Sequence, residues 1–331
     1  MNLRRHRAIL LAYLGMGVLL ALASVVSPGF LALAHLRTTA VLAAFIGIVA
    51  LGQTFVVIGG GIDLSVPWTL NCAAVLMTLV ANGRDGPLLW IAPLLLGAGA
   101  LVGAVNGIGV ALFGVPPIIM TLAVNVILQG GILVFTGGAP TATAPPLAQF
   151  LAVGRIGGFP VILAIWIALA ALATVALSRT AFGRWLYALG SSATVAEFSG
   201  VPTTLTAVTA YMISGFTAAL AGMLLTGYTA QAYLGMGDPY LFTSIAAVAI
   251  GGASVLGGSG HYLGTVAGAL VLTILTGVLP ALNLSDGALL IVYGLVILVT
   301  VSLASEAISD LFPDLPRFRR RADSANRGAV R

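Results

Sequence analysis

The stretch VVIGGGIDLSV, Val56 to Val66, places three consecutive glycines and a carboxylate at the end of a long apolar run. Glycine reaches backbone angles closed to other residues, so Gly59, Gly60 and Gly61 end a helix sharply. Beyond them, Asp63 and Ser65 are residue types that cap a following helix, and Pro67 suits its first turn, where no backbone donor is lost. The stretch therefore predicts a helix, a break and a second helix, with an anion at the start of the second, where the helix dipole favours it. Two readings of Asp63 follow: a cap near a membrane surface, or a group that lines or gates a polar pathway.

The surrounding sequence decides what kind of helices these are. Of the 331 residues, 60% are hydrophobic and 7% charged, against about 25% charged in a soluble domain. Several windows of about 20 residues are nearly free of charge, the length that crosses a bilayer as a helix. The alternation expected of a barrel strand is missing. The fold class is all-α, a polytopic helical membrane protein with some short or discontinuous helices.

All 14 basic residues are arginine. Without lysine the chain cannot carry the phosphate loop of an ATPase or a Schiff-base site, so any ATP chemistry belongs to another chain. The single cysteine, Cys72, permits no internal disulfide, and His6, His35 and His261 lack metal-ligand spacing. A zinc protease motif is missing too, which argues against an intramembrane enzyme.

Ten spans are read, at about Ala8–Ser27, Thr38–Gly60, Ser65–Ala81, Leu88–Phe113, Pro116–Phe135, Pro160–Leu177, Leu205–Tyr228, Leu241–Gly252, Tyr262–Leu279 and Ala288–Leu303. The eighth is short and glycine-bordered, so it need not cross fully. With the N-terminus inside, Arg4, Arg5, Arg7, Arg179, Arg184 and the arginines from Arg317 onward are cytoplasmic, and Arg37, Arg84 and Arg155 are external. That bias favours both termini inside and removes the need for a nucleic-acid partner to explain the positive charge. Eight or twelve spans satisfy the same parity. Ala21-Leu22-Ala23 resembles a signal-peptidase site, but the apolar run before it exceeds the usual signal core, so it is read as the first span.

Two loops are long. Gly137–Phe159 is Pro/Gly-rich and external; Ser178–Thr204 is internal and contains amphipathic helical material. VAIGGASVLGG, Val248 to Gly258, faintly echoes the opening stretch, as internal repeats in transporters do. Gly99, Gly103 and Gly107, and again Gly260, Gly264 and Gly268, stand four apart, a spacing that lets helix backbones pack closely. Polar groups within or beside spans, Gln53, Asp63, Ser65, Asn71, Asn106, Asn125 and Gln129, are candidates for a pathway taking a neutral hydroxylated solute. Interhelical hydrogen bonding explains each amide singly as well.

Four segments carry a family resemblance: GQTFVVIGGGIDLSV (Gly52–Val66), NGIGVALFGVPPIIMTL (Asn106–Leu122), FGRWLYALGSSATVAEFSGV (Phe182–Val201) and SIAAVAIGGASVLGGSGHYLGTVAGAL (Ser244–Leu270). Together they resemble permease subunits of bacterial ABC importers of the ribose/xylose/arabinose/galactose type, over about Phe30–Val301. Pro67, Thr243 and Ser244 stand where many relatives have other residues. The resemblance implies a transport subunit rather than an enzyme, in the inner membrane. It implies a second permease copy or paralogue and ATPase subunits that hold the ATP and magnesium, so this chain needs no cofactor. A periplasmic sugar-binding protein delivers the substrate. It further implies that the ATPase docks around Gly183, Arg184, Tyr187, Gly190, Glu197, Ser199 and Gly200. Residues 1–310 are then one transmembrane permease domain, and 311–331 an Arg-rich cytoplasmic tail expected to be disordered. The alternatives are a branched-chain amino-acid or nucleoside permease of the related group, or a secondary carrier driven by an ion gradient. Such a carrier usually buries several titratable relays, and Asp63 is the one candidate.

Overall fold

A computed structural model describes residues 3–27, 29–139 and 142–278, with 287, 290, 291, 294, 295 and 298 beyond them. The described chain is mostly helical, and its helices coincide with nine of the ten predicted spans: α1 (Leu3–Val26), α2 (Leu33–Ile58), α3 (Val66–Ala81), α4 (Asp85–Ala111), α5 (Pro117–Thr136), α7 (Val161–Arg179), α10 (Thr203–Thr229), α11 (Tyr240–Ile250) and α12 (Tyr262–Val278). The tenth, Ala288–Leu303, falls largely outside the described residues, and the tail 311–331 wholly so.

Six of the helices, α1, α2, α4, α5, α7 and α10, are long and apolar enough to cross a membrane. The protein is a multi-pass membrane protein. α11 has 11 residues, about 16 Å at 1.5 Å per residue, roughly half the hydrocarbon thickness.

α2 and α10 are buried along most of their length and form the centre of the bundle. α4, α3 and α6 pack on α10, whereas α11, α12 and α7 pack on α2. Small residues make these approaches possible. On α4, Gly99 faces the Gly215 carbonyl, Gly103 the Tyr211 carbonyl and Gly107 the Val208 backbone, all on α10. On α12, Gly264 and Gly268 face the Gly251 and Ala247 carbonyls. Gly260 precedes that helix and abuts Ala253. Both four-apart glycine series therefore serve packing within the chain. A Cβ on Gly215 would run into Gly99, so neither helix accepts a larger residue without separating.

The long loops contain structure of their own. In the first lie α6 (Pro146–Val153) and a two-stranded hairpin, β1 (Arg155–Ile156) with β2 (Phe159–Pro160). In the second lie α8 (Ala181–Ser191) and α9 (Ala193–Phe198), at the opposite end of the bundle. Thr180 caps α8 by accepting from the Gly183 N–H at 3.2 Å, and Ser192 caps α9 by accepting from the Val195 N–H at 3.3 Å.

Between α10 and α11 the chain re-enters the bundle. It leaves the α6 end, where Ala144 N–H donates to Ala230 O at 2.9 Å. Tyr233 O then accepts from Asn71 Nδ2 at 3.0 Å, and Gly237 reaches the Pro67 carbonyl at the start of α3. Irregular backbone survives within membrane depth only where protein supplies its hydrogen bonds, as α3 does here.

Candidate functional site

The end of α2 is a helix stop of a defined kind. Gly59 N–H donates to Phe55 O at 3.1 Å, Gly60 N–H to Val57 O at 3.0 Å and Gly61 N–H to Val56 O at 3.0 Å. This is the Schellman arrangement, which places one residue in the left-handed region; Gly60 has φ +88°. The end of α11 repeats it. Gly251, Gly252 and Ala253 donate to Ala247, Ala249 and Val248 in the same pattern, and Gly252 has φ +79°. The echo in the sequence is thus a shared helix-ending motif.

The α2 stop also touches the loop that follows the α11 stop. Gly258 N–H donates to Ile58 O at 2.9 Å, and Gly257 lies against Gly60. α8 joins them from the other side, because Gly190 is packed against the Ile58 carbonyl and Gly258, and Tyr187 Oη donates to Gly260 O at 2.8 Å.

Past the α2 stop, Asp63 Oδ1 accepts from the Ser65 N–H at 2.9 Å and from the Ser65 hydroxyl at 2.6 Å. Asn106 Nδ2, on α4, donates to Ser65 Oγ at 2.8 Å. Tyr211 and Ser214, on α10, face the same carboxyl group, and all five side chains are buried. The expected cap is found elsewhere: neither Asp63 nor Ser65 bonds an N–H inside α3. α5 holds that end from outside, with Thr121 Oγ1 accepting from Leu64 N–H at 3.0 Å and Asn125 Oδ1 from Trp68 N–H at 3.4 Å.

The predicted pathway residues therefore fall into groups. Asp63, Ser65 and Asn106 form one hydrogen-bonded chain. Gln53 is buried on α2 beside Gly52, which abuts Ser214 and Thr217, and neither of its amide atoms has a partner. Asn71 binds the re-entrant segment, Asn125 holds the start of α3, and Gln129 is half-buried one turn further along α5. Sequence reasoning missed Tyr211 and Ser214, which no motif distinguishes from other residues of α10.

The comparisons place this architecture. A family model described as the permease component of a branched-chain amino acid transport system matches residues 36–301. The chain belongs to this permease family. It is 33% identical over 298 residues to a ribose import permease of Haemophilus influenzae, covering 88% of this chain and 91% of that one. It is 34% identical over 296 residues to a ribose import permease of Bacillus subtilis, with the same coverages. An autoinducer 2 import system permease of Salmonella paratyphi B is 34% identical over 238 residues, covering 68% of this chain and 70% of its own. No solved structure matches.

Within this permease the α8–α9 residues divide by direction. Gly183 packs on the last turn of α7, and Tyr187 and Gly190 on the paired helix stops, so these three face the permease itself. Gly200, with φ +77°, closes α9 through its N–H to Glu197 O at 2.9 Å. Arg184, Glu197 and Ser199 are exposed. So are Val195 and Phe198, the latter 89% exposed. That apolar pair was not singled out from sequence.

A cleft of about 340 Å³ runs from Glu197 and Thr203 past Ala111 to Gly61 and Tyr211. Its volume lies in the range of small-molecule sites, about 300–1,000 Å³. Tyr211 borders both this cleft and the Asp63 cluster, so the cleft reaches the buried polar group.

Proposed function

We propose that this permease subunit carries a monosaccharide or sugar alcohol inward across the bacterial inner membrane, using ATP hydrolysed on a partner chain. The observation that carries this reading is the likeness to ribose import permeases along nearly the whole chain. The buried groups are in keeping with it. Gln53 offers a donor and an acceptor and Asn71 an acceptor to a hydroxylated solute, and the cluster around Asp63 contains no cationic side chain to seat a substrate carboxylate.

In this reading the chain crosses the membrane about ten times with both termini cytoplasmic. It pairs with a second copy or a paralogue, receives its sugar from a periplasmic binding protein, and docks an ABC ATPase on α8 and α9. The ATP and magnesium stay on that partner. Docking moves α8, and Gly190 and Tyr187 pass the movement to the ends of α2 and α11. The pathway above them then opens alternately to the two sides.

The test is to tag the chain in its host, solubilise it mildly and identify what co-purifies, alongside uptake of radiolabelled ribose. Stoichiometric recovery of an ATPase, with uptake that fails on ATP depletion, supports the reading. Recovery of the chain alone, with uptake that follows the proton gradient and survives ATP depletion, replaces it with a secondary carrier. Competition by leucine or a nucleoside rather than by pentoses points to the related permeases.

A further inference from the structure

The hydrogen-bond order around Asp63 leaves a specific set of atoms over. Ser65 spends its hydroxyl proton on Asp63 Oδ1, so Asn106 must be the donor to Ser65 Oγ, through Nδ2. That fixes the amide and leaves Asn106 Oδ1 buried without a partner. Asp63 Oδ2, Tyr211 Oη and Ser214 Oγ are also buried without partners. Their residues are between 0% and 3% exposed. Tyr211 and Ser214 both lie near enough to interact with the Asp63 carboxyl group. Four unpartnered oxygens thus belong to side chains gathered at one carboxylate.

Charge points the same way. Asp63 is in no ion pair among the described residues. The start of α3 offsets about half a charge at best, and a buried carboxylate without a countercharge is strongly unfavourable. A water molecule could satisfy the hydrogen bonds and would leave the charge uncompensated. Donors that are all oxygen exclude a preference for soft or borderline metals, and one carboxylate suits one positive charge. Unwound backbone beside a helix end is where discontinuous membrane helices hold such ions.

We infer that Asp63, Asn106, Ser214 and Tyr211 form a binding site for one dehydrated Na⁺ ion, which fastens the break after α2 to α4 and α10. The site does not depend on which solute is transported, so its failure and that of the transport reading are separable.

The experiment uses the full chain purified in detergent, with thermal unfolding followed in NaCl and in choline chloride at equal ionic strength. Saturable stabilisation by several degrees in Na⁺ alone is expected, as for a ligand that binds only the folded state. Radioactive sodium should bind with a stoichiometry of one. Asp63→Asn should abolish both responses, and Ser214→Ala should weaken the Na⁺ midpoint roughly tenfold while the chain stays folded. Equal unfolding in the two salts overturns the site, as does a Na⁺ response that survives in Asp63→Asn. If Asp63→Asn does not fold, an unchanged midpoint in Ser214→Ala overturns it. An infrared band of a protonated carboxylic acid in the native chain, indifferent to Na⁺, overturns it in favour of a proton.

Discussion

The N–H of Gly258 donates to the carbonyl oxygen of Ile58 at 2.9 Å, which ties the end of α2 to the loop after α11, 200 residues further along the chain. Ile58 O is an orphan acceptor at the end of α2, and such groups need partners when buried. Its partner comes from the loop after α11, and Gly190 of α8 closes over the same carbonyl. Three segments therefore meet at one backbone atom.

Gly190→Ala tests that joint. The added methyl would collide with Ile58 O and lie 2.5 Å from Gly258 N, backbone atoms that cannot rotate aside. α8 must then lift away. Uptake is expected to fall tenfold or more, while membrane insertion, followed by immunoblot of the membrane fraction, stays near the native amount. Native uptake in this variant would show that α8 does not act through the paired stops.

Neighbouring glycines at the stop should differ sharply. Gly60 has φ +88° and open space around it, with Gly190 Cα at 3.8 Å from a new Cβ, so the cost of Gly60→Ala is conformational. It is expected to be about 1–2 kcal/mol, with the same for Gly252→Ala at φ +79°. Gly59 has φ −72°, and its new Cβ would sit 3.2 Å from the side-chain tip of Leu186. Gly59→Ala should change unfolding in detergent by less than half as much as Gly60→Ala.

The helical frame was legible because membrane helices announce themselves by length and lack of charge. Nine helices fall at predicted spans, six of them long and apolar enough to cross, and the glycine run after Ile58 marked the stop that the structure shows. What was lost is mostly non-periodic. α6 has eight residues, too few for a hydrophobic pattern to stand out within a Pro/Gly-rich loop. The Arg155–Pro160 hairpin did carry a signal, a Gly-Gly turn with φ +57° and +82°, the combination that two-residue hairpins favour. The re-entry at residues 230–239 is held by backbone contacts to Asn71 and Pro67, which no local pattern records. Capping of α3 misled for a related reason: Ser65 has the right residue type and position, but its hydroxyl is engaged with Asp63, and the cap comes from Asn125 on another helix, with Thr121 holding the Leu64 N–H just before it.

Thr121→Val follows from that last point. The swap keeps shape and removes the acceptor for the Leu64 N–H, leaving a part-buried donor without its partner. A loss of about 1–3 kcal/mol is expected, read as a lower unfolding midpoint in detergent. Thr121→Ser retains the oxygen and should recover most of it. Equal loss in both variants would mean that the methyl group, packed in the helix contact, matters more than the bond.

The exposed pair Val195 and Phe198 gives the sharpest test of where the ATPase docks. An aromatic side chain 89% exposed next to Glu197, on a short helix at the end of the bundle, contributes nothing to the packing of this chain. Buried aromatic anchors dominate many protein interfaces, with losses of about 2 kcal/mol or more on truncation. Phe198→Glu should therefore leave unfolding of the isolated permease unchanged and reduce ATPase recovery at least tenfold. Tyr187→Phe should do the reverse: it removes the bond to Gly260 O, worth about 1 kcal/mol, from a face turned toward the permease. Recovery of the ATPase is then retained, and uptake per ATP hydrolysed falls. If Phe198→Glu keeps its ATPase while Arg184→Glu loses it, the docking face is centred on α8, and the apolar pair on α9 lies at its rim.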